Sequence, residues 1–342
     1  MKAVIVNPYL DSLGGGERYS MFFAMLARDL GYKVDVEFID PKVKSKLEER
    51  FSISLKNIRF INQSSRGDGY DLCFWVSDGS VPTLRARVNV LHFQVPFIKV
   101  GGSSLINRMK MFRIKEVVCN SNFTKSYIDH EYNVNSKVVY PPVDISKFKA
   151  KKKENTILYV GRFSKLMQRK GQDILIQSAI ELFRNGVRGW KLVIAGGAEI
   201  GSEDFIDSLN EMAKGYPIEI LESPSFSQLQ DLYGHAKLFW SASGFGIDEK
   251  SQPERVEHFG ITPVEAMSAG CVPLLFNSGG HKEIIQTGEN GYLWETIEGL
   301  VKASKYLIED DNLWKVFSQK ASNDVNRFSV SAFNQEFTKI IV

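Results

Sequence analysis

Two doubly wound α/β domains, each a parallel sheet flanked by helices, are what this sequence predicts. Three observations carry that expectation. The chain opens with an apolar strand, a glycine loop, a helix and a second strand; the same order starts again near residue 156; and a basic, polar run occupies 147–155 between them. A length of 342 residues exceeds one ordinary core and suffices for two.

Ala3-Val-Ile-Val6 is short and wholly apolar, as a strand buried on both faces is. Gly14-Gly-Gly16 follows as a loop, and Glu17 to Leu30 reads as a helix stopped by Gly31. Val34 to Phe38 gives the next strand; Asp35 and Glu37 within it only loosely echo a metal-binding Asp-x-Asp, and a strand explains them. Tyr70 to Trp75, Val88 to His92, Glu116 to Cys119 and Lys137 to Tyr140 continue a parallel sheet, with room for helices between them. The basic run from Lys147 to Asn155 reads as a solvated linker, which divides the chain into domains at 1–148 and 149–324.

The second half repeats the opening. Thr156 to Val160 is a strand, Gly161-Arg162 a turn, and Gly171 to Phe183 a helix with Lys170 just before it. Lys191 to Ala195 ends in the turn Gly196-Gly197, and Ile218 to Leu221, Leu238 to Trp240 and Val272 to Phe276 extend the sheet. Helices fall at about 227–234 and 263–269. In the closing segment 325–342, Phe333, Phe337, Ile340 and Ile341 share one helical face, which needs an apolar surface; return to the first domain would supply one.

Composition excludes several classes. With 43% hydrophobic and 24% charged residues the chain is that of a folded globular protein. A net charge of +3 is too small to imply nucleic acid, and no zinc-finger spacing or RNA-binding aromatic signature is present. Cys73, Cys119 and Cys271 are scattered and odd in number, so neither a disulfide framework nor a zinc site is expected, and a reducing cytoplasm fits best. The first apolar run is too short for a signal-peptide core, and no stretch approaches membrane-spanning length. Leu105 to Lys115 interleaves apolar and basic residues, as helices lying on anionic lipid do. A helix packed on its own domain with its charges solvated has the same pattern, so peripheral contact with the cytoplasmic face of a membrane stays open.

The chemistry gathers at strand ends, where open α/β sheets bind ligands. In Glu257-His-Phe-Gly-Ile-Thr-Pro-Val-Glu265 two carboxylates eight residues apart bracket a glycine turn and a helix start. Thr262, Pro263 and Glu265 have the spacing of an N-cap, a first helical residue and a capping-box acid, so a helix beginning at about Thr262 would aim its N–H groups at the Gly260 turn. Such a terminus attracts phosphate. Glu257 would repel a bare phosphate and suits the hydroxyls of a neutral group attached to one; Glu265 suits a ribose. A plain cap at Glu265 and a solvated Glu257 satisfy the same spacing. Arg162 and Lys170 flank a strand-end loop and could grip a diphosphate, with Lys165 and Arg169 as competitors and surface solvation as the alternative.

Taken together, Gly14-Gly-Gly-Glu17-Arg18, Cys119-Asn-Ser-Asn-Phe-Thr124, Tyr140-Pro-Pro-Val-Asp144, Val160-Gly-Arg162 with Lys170-Gly171, and Glu257-x7-Glu265-Ala-Met-Ser-Ala-Gly270 stand in the order seen in family 4 glycosyltransferases. The chain resembles a retaining member of the GT-B fold over nearly its whole length, and within it the α-mannosyltransferase branch that uses dolichol-linked acceptors. The resemblance implies two Rossmann-like domains facing a central cleft, and transfer of a hexose, mannose favoured, from GDP-mannose or a UDP-hexose to a glycan or lipid-linked acceptor. No metal or other cofactor is obligatory in that reading. It implies that Arg162 and Lys170 neutralise the donor diphosphate, that Glu257 contacts the transferred sugar, that Glu265 holds the ribose, and that Ser223 and Pro224 lie at the base. Gly14, Gly15, Gly16, Phe259, Gly260, Ile261 and Thr262 line the donor site by the same carry-over. His92, at a strand end, matches a histidine that positions donor sugar and acceptor, although a lone histidine also serves simply as core.

Departures from the family pattern are the long spacing from Arg162 to Lys170, the charged loop 241–256, which suits a lid or a passive surface, and a short first domain. No nucleophile and acid pair is evident, so the mechanism expected is electrostatic stabilisation of the leaving diphosphate. A non-catalytic nucleotide-sugar-binding protein, a sugar-nucleotide epimerase or a phosphorylase shares the fold; a dehydrogenase would need the GxGxxG that this chain lacks.

Overall fold

The computed structural model describes residues 1–164, 170–199 and 201–342; Lys165 and Arg169, the two competing cations, lie outside them. The chain divides into two compact units, one comprising Met1–Pro142 with Phe328–Val342 and the other Val143–Arg327.

The first unit holds, in order, β1 (Lys2–Val6), α1 (Gly15–Asp29), β2 (Lys33–Glu37), α2 (Val43–Phe51), β3 (Ile58–Ile61), β4 (Leu72–Val76), β5 (Val88–Phe93), α3 (Leu105–Met111), β6 (Glu116–Cys119), α4 (Asn122–Tyr132) and β7 (Lys137–Val138). The strands form one parallel sheet in the order β3-β2-β1-β4-β5-β6-β7, with the direction of winding reversing at β1 and β4. Apolar runs dictate this: Ala3, Val4 and Ile5 are fully buried because helices cover both faces. Asp35 is engaged within the fold: its carboxylate accepts from Nε and Nη2 of Arg59 at 2.8 and 2.9 Å and from the hydroxyl of Tyr70 at 2.6 Å.

The second unit holds β8 (Glu154–Val160), α5 (Gln172–Arg184), β9 (Lys191–Gly196), α6 (Glu203–Ala213), β10 (Ile218–Glu222), α7 (Phe226–His235), β11 (Ala236–Ser241), α8 (Ile261–Ser268), β12 (Val272–Phe276), α9 (His281–Ile284), β13 (Tyr292–Trp294), α10 (Ile297–Glu309) and α11 (Asp311–Asp324). Its six parallel strands run β10-β9-β8-β11-β12-β13. Here the winding reverses at β8 and β11. That switch point is where helix N-termini on the two sides diverge and leave room for a ligand.

The last helix, α12 (Val330–Ile341), belongs to the first unit. Phe333, Phe337, Ile340 and Ile341 enter the same core as Tyr19, Phe23 and Phe74, with Phe337 edge-on to Phe23 at 4.9 Å between ring centroids. Val325–Phe328, read from the sequence as part of that helix, is a short 3-10 turn ahead of it.

The run at 147–155 is exposed along much of its length but anchored to the second unit at two kinds of point. Phe148 is buried edge-on against Tyr233 at 5.3 Å. The Lys153 ammonium donates to the carbonyls of Ala236 at 2.7 Å and Ala269 at 2.6 Å, and Lys151 pairs with Asp231 at 2.5 Å. Lys153 closes the ends of α7 and α8 and Lys151 ties the run to the middle of α7, so the segment packs on the second unit, and the division into compact units falls earlier, at Pro142 and Val143. A cation among helix C-terminal carbonyls offsets the negative end of the dipole.

Candidate active site

Three strand ends of the second unit meet in one layer. After β8, Gly161 and Arg162 turn back across the end of β9: Gly161 N–H donates to Ala195 O at 3.0 Å and Phe163 N–H to Gly197 O at 2.9 Å. The approach is close enough to demand glycine, since a Cβ on Gly196 would lie 1.8 Å from Gly161 O. Ser223, past the end of β10, joins the layer by donating its N–H to Gly196 O at 2.6 Å. Arg162 reaches Glu199 at 3.2 Å, and its carbonyl accepts from the side-chain amide of Gln172 at 2.9 Å. Arg162, the Gly196-Gly197 turn and Ser223 are thus brought together, with Pro224 half-buried beside them.

Lys170 and Glu257, 87 residues apart in sequence, form an ion pair with Nζ to Oε2 of 2.9 Å. Both side chains are largely buried, at 15% and 20% exposure. Lys170 is delivered by Gly171, whose left-handed backbone (φ 70°) starts α5 against Ala242. Burial pushes the Glu257 carboxyl up, but the Lys170 ammonium, joined by His281 and His258, more than reverses this and brings it to about 2. Glu257 is therefore a carboxylate with its own cation, able to accept hydroxyl hydrogen bonds.

Glycines also fix the Glu257 turn from behind. Gly280 N–H donates to Glu257 O at 2.8 Å, and Cβ atoms on Gly279 or Gly280 would run into the backbone of Glu257 or of His258 and Phe259. His281, next in the chain, is fully buried. Its Nδ1 faces Phe276 O at 3.0 Å and so carries the proton, which leaves Nε2 as a buried lone pair without a partner among the described residues. Burial lowers its pKa despite the neighbouring Glu257, so the ring is neutral near pH 7.

The capping-box expectation at Thr262 is wrong. The N-cap of α8 is Gly260, in the left-handed region at φ 107°, and the helix begins at Ile261. Glycine turns the chain into the helix earlier than a side-chain cap at Thr262 would. Pro263 thereby falls in the third helical position, still within the first turn, where no N–H is needed. Glu265 lies too deep to cap; it is buried and accepts a hydrogen bond from the Tyr233 hydroxyl at 3.0 Å. Phe259 is buried beneath the turn, while Ile261 and Thr262 are half-buried at its mouth.

In the first unit the glycine loop is a helix start, with Gly14 as N-cap of α1. Its N–H is already taken by Glu17, whose Oε2 accepts at 2.7 Å. Gly16 passes so close to Gln94 that a Cβ would overlap its side chain, and Gly15 is the first helical residue. His92 is fully buried at the end of β5, stacked on Tyr19 at 4.1 Å and bonded through Nδ1 to Val118 O at 3.1 Å. Burial drives its pKa to about 3, and its Nε2 has no partner among the described residues.

A family model describing group 1 glycosyl transferases matches residues 142–324, nearly the whole second unit and more than half the chain. The chain is a group 1 glycosyl transferase. An alpha-1,2-mannosyltransferase of Dictyostelium discoideum, named GDP-Man:Man(3)GlcNAc(2)-PP-Dol alpha-1,2-mannosyltransferase, is 28% identical over 247 residues, 66% of this chain and 47% of that protein. The Alpha-1,3/1,6-mannosyltransferase ALG2 of Candida glabrata is 26% identical over 295 residues, 72% of this chain and 61% of that one. The lipopolysaccharide core mannosyltransferase LpsB of Rhizobium meliloti is 27% identical over 280 residues, covering 75% and 76%. The chain spans about half to three fifths of the first two relatives' length. Among solved structures, Anabaena HepE in complex with UDP aligns over 99% of both chains at TM-score 0.77 and 19% identity. A glycosyltransferase from Rickettsia africae aligns over 99% of this chain and 97% of its own at TM-score 0.78 and 19% identity. These likenesses show the GT-B fold.

In this glycosyl transferase the residues missed from sequence are His281, Glu199 and Tyr233. His281 had a signal: Gly279-Gly280 follows the strand Val272–Phe276, the same strand and glycine pattern that marked the other strand ends. Glu199 and Tyr233 had none, because each is defined by a partner distant in sequence. Tyr233→Phe should cost about 1 kcal/mol of stability in urea unfolding, the worth of one buried hydrogen bond. No change would mean that the hydroxyl does not hold Glu265.

Proposed function

We propose that the chain transfers a hexose, mannose in preference, from a nucleoside diphosphate sugar to a hydroxyl of a glycan or lipid-linked acceptor with retention at the anomeric carbon. The Lys170–Glu257 pair carries this reading. It sets a buried, ionised acceptor of sugar hydroxyls beside a cation for the diphosphate, at the Gly260 start of α8. The named donors of several relatives, GDP-mannose among them, support mannose.

In the reaction the bond from the anomeric carbon to the diphosphate oxygen breaks, and negative charge grows on the leaving group. Arg162, Lys170 and the N-terminus of α8 stabilise that charge without a metal in this proposal. The leaving phosphate takes the proton of the attacking hydroxyl on the same face of the sugar, which gives retention. Glu257 orients the transferred sugar, Glu265 the ribose, and Ser223 and Pro224 flank the base. Within the first unit the proposal keeps Gly14, Gly15 and Gly16 as a close backbone turn and His92 as a neutral buried imidazole.

The test is turnover of GDP-mannose and UDP-hexoses by purified protein with a lipid-linked or glycan acceptor. Arg162→Ala should raise the KM for donor roughly 10- to 100-fold, the loss of one charge-assisted contact, with folding unchanged because the side chain is half exposed. No transfer from any such donor by the wild-type protein, or an unaltered KM in the variant, would reject the reading.

A further inference from the structure

Helix α3 turns its apolar face outward. Leu105, Ile106, Met109 and Phe112 are 73%, 67%, 64% and 90% exposed, and no residue of the helix is buried. At about 100° per residue these four positions fall on one arc of the helix, with Arg108 on one flank and Lys110 on the other. Met111 lies on the opposite side and packs against the cluster around Phe93 and Tyr132. The helix is thus seated by its narrow inner edge and presents its wide apolar face to the surroundings. An inward-packed helix, the plainer reading of the same sequence, has the reverse orientation.

Two further observations define what fits this face. Between residues 99 and 115 the chain carries five basic residues, Lys99, Arg108, Lys110, Arg113 and Lys115, and no aspartate or glutamate. The neighbouring acids are engaged elsewhere: Glu116 pairs with Lys137 at 2.6 Å, and Glu131 accepts the N–H groups of Lys99, Val100 and Gly102 at 2.9, 3.0 and 3.0 Å. Those three bonds also fix the turn leading into α3, where Gly102 lies against the Tyr132 ring, closely enough that a Cβ would overlap it. The apolar surface is therefore held in place by the fold.

We propose that α3 and the turn before it form a docking surface for an anionic lipid bilayer, with Phe112, Leu105, Ile106 and Met109 entering the acyl boundary and the basic flanks meeting lipid phosphates. A large apolar side chain that stays in water gains nothing there, whereas a ring of cations around it repels a second copy of itself. A protein partner with an acidic rim would use the charges but has no need of four protruding side chains at once. Among the described residues no helix is long and apolar enough to cross a membrane. A short amphipathic face of this kind binds at the interface, reversibly. The inference stands on this surface alone and does not depend on the transfer reaction.

Flotation of the purified 342-residue chain with vesicles of phosphatidylglycerol and phosphatidylcholine, against phosphatidylcholine alone, tests it. The wild type should float with the anionic vesicles and stay in solution with the neutral ones, and binding should fall steeply with salt. Ile106→Glu with Phe112→Glu should reduce binding about tenfold or more, and Lys110→Glu about fivefold or more, from the attraction each basic residue contributes. All three positions carry exposed or half-exposed side chains, so the melting temperature should not move. Failure of the wild type to float, equal binding to neutral vesicles, or a concentration-dependent dimer abolished by Phe112→Glu would each overturn the proposal.

Discussion

Lys170→Ala is expected to cripple transfer and to destabilise the second unit together. Removing the ammonium leaves Glu257 largely buried with its main counter-charge gone, a loss of roughly 3–5 kcal/mol when a buried pair is broken from one side. On activity the loss of a cation from the leaving group should cost about 10²–10³ in kcat. The two effects separate in a double variant. Lys170→Met with Glu257→Gln removes both charges, so most of the stability should return while transfer stays crippled. The pH dependence carries the sign. In the wild type the Glu257 carboxyl is depressed from 4.5 to about 2, so its stabilising contribution is whole above 4.5 and is lost as pH falls toward 2. In Lys170→Ala burial dominates and the carboxyl is raised, so the variant is worst near neutral pH and recovers as the group protonates. The stability gap between the two proteins should therefore narrow from about pH 7 to about pH 4 in urea unfolding. A gap that does not change with pH would show that Lys170 is not the counter-charge of Glu257.

This pairing also shows how far the sequence could be read. Lys170 and Glu257 each had a local reason for notice, one beside a strand-end glycine and the other ahead of a helix, but 87 residues separate them and no periodicity reports a contact of that kind. Periodicity succeeded where burial is regular: the runs at 3–6, 157–160 and 192–195 lie in strands because apolar residues in unbroken series suit a sheet covered on both faces. It misread Lys153, since a cation can be spent on helix C-terminal carbonyls as readily as on water, whereas Lys149, Lys151 and Lys152 are exposed as a solvated run predicts. The Thr262 capping box failed for a comparable reason. Thr-Pro-x-Glu fits the pattern of a helix start, but Gly260 in the left-handed region began the helix earlier and released Glu265 to Tyr233. The apolar and basic mixture at 105–115 fitted an inward helix, the plainer reading, as well as an outward one, and only side-chain exposure separates them.

Gly280→Ala should damage the second unit's site through contact alone. Its backbone lies at φ −67°, which alanine adopts freely, so no conformational penalty enters; the cost is contact alone. An added Cβ would stand 2.4 Å from Phe259 Cα and 2.5 Å from His258 O, both backbone atoms that no rotamer change can clear. The turn carrying Glu257 must move outward, which breaks the Gly280 N–H bond to Glu257 O and draws the carboxylate from Lys170. Overpacking of this kind costs roughly 3 kcal/mol, toward the upper end for a well-packed core. A displacement near 1 Å in a positioning group reduces turnover about 10²-fold. Gly288→Ala is the control. It lies at φ 84° with nothing within 4 Å of the new atom, so it incurs only the left-handed strain, about 1 kcal/mol, and should leave transfer unchanged. If Gly280→Ala kept full activity with a lowered melting temperature, Glu257 would not need its present position for the reaction. Equal losses in both variants would show that glycine's backbone freedom, rather than close packing behind Glu257, sets the geometry.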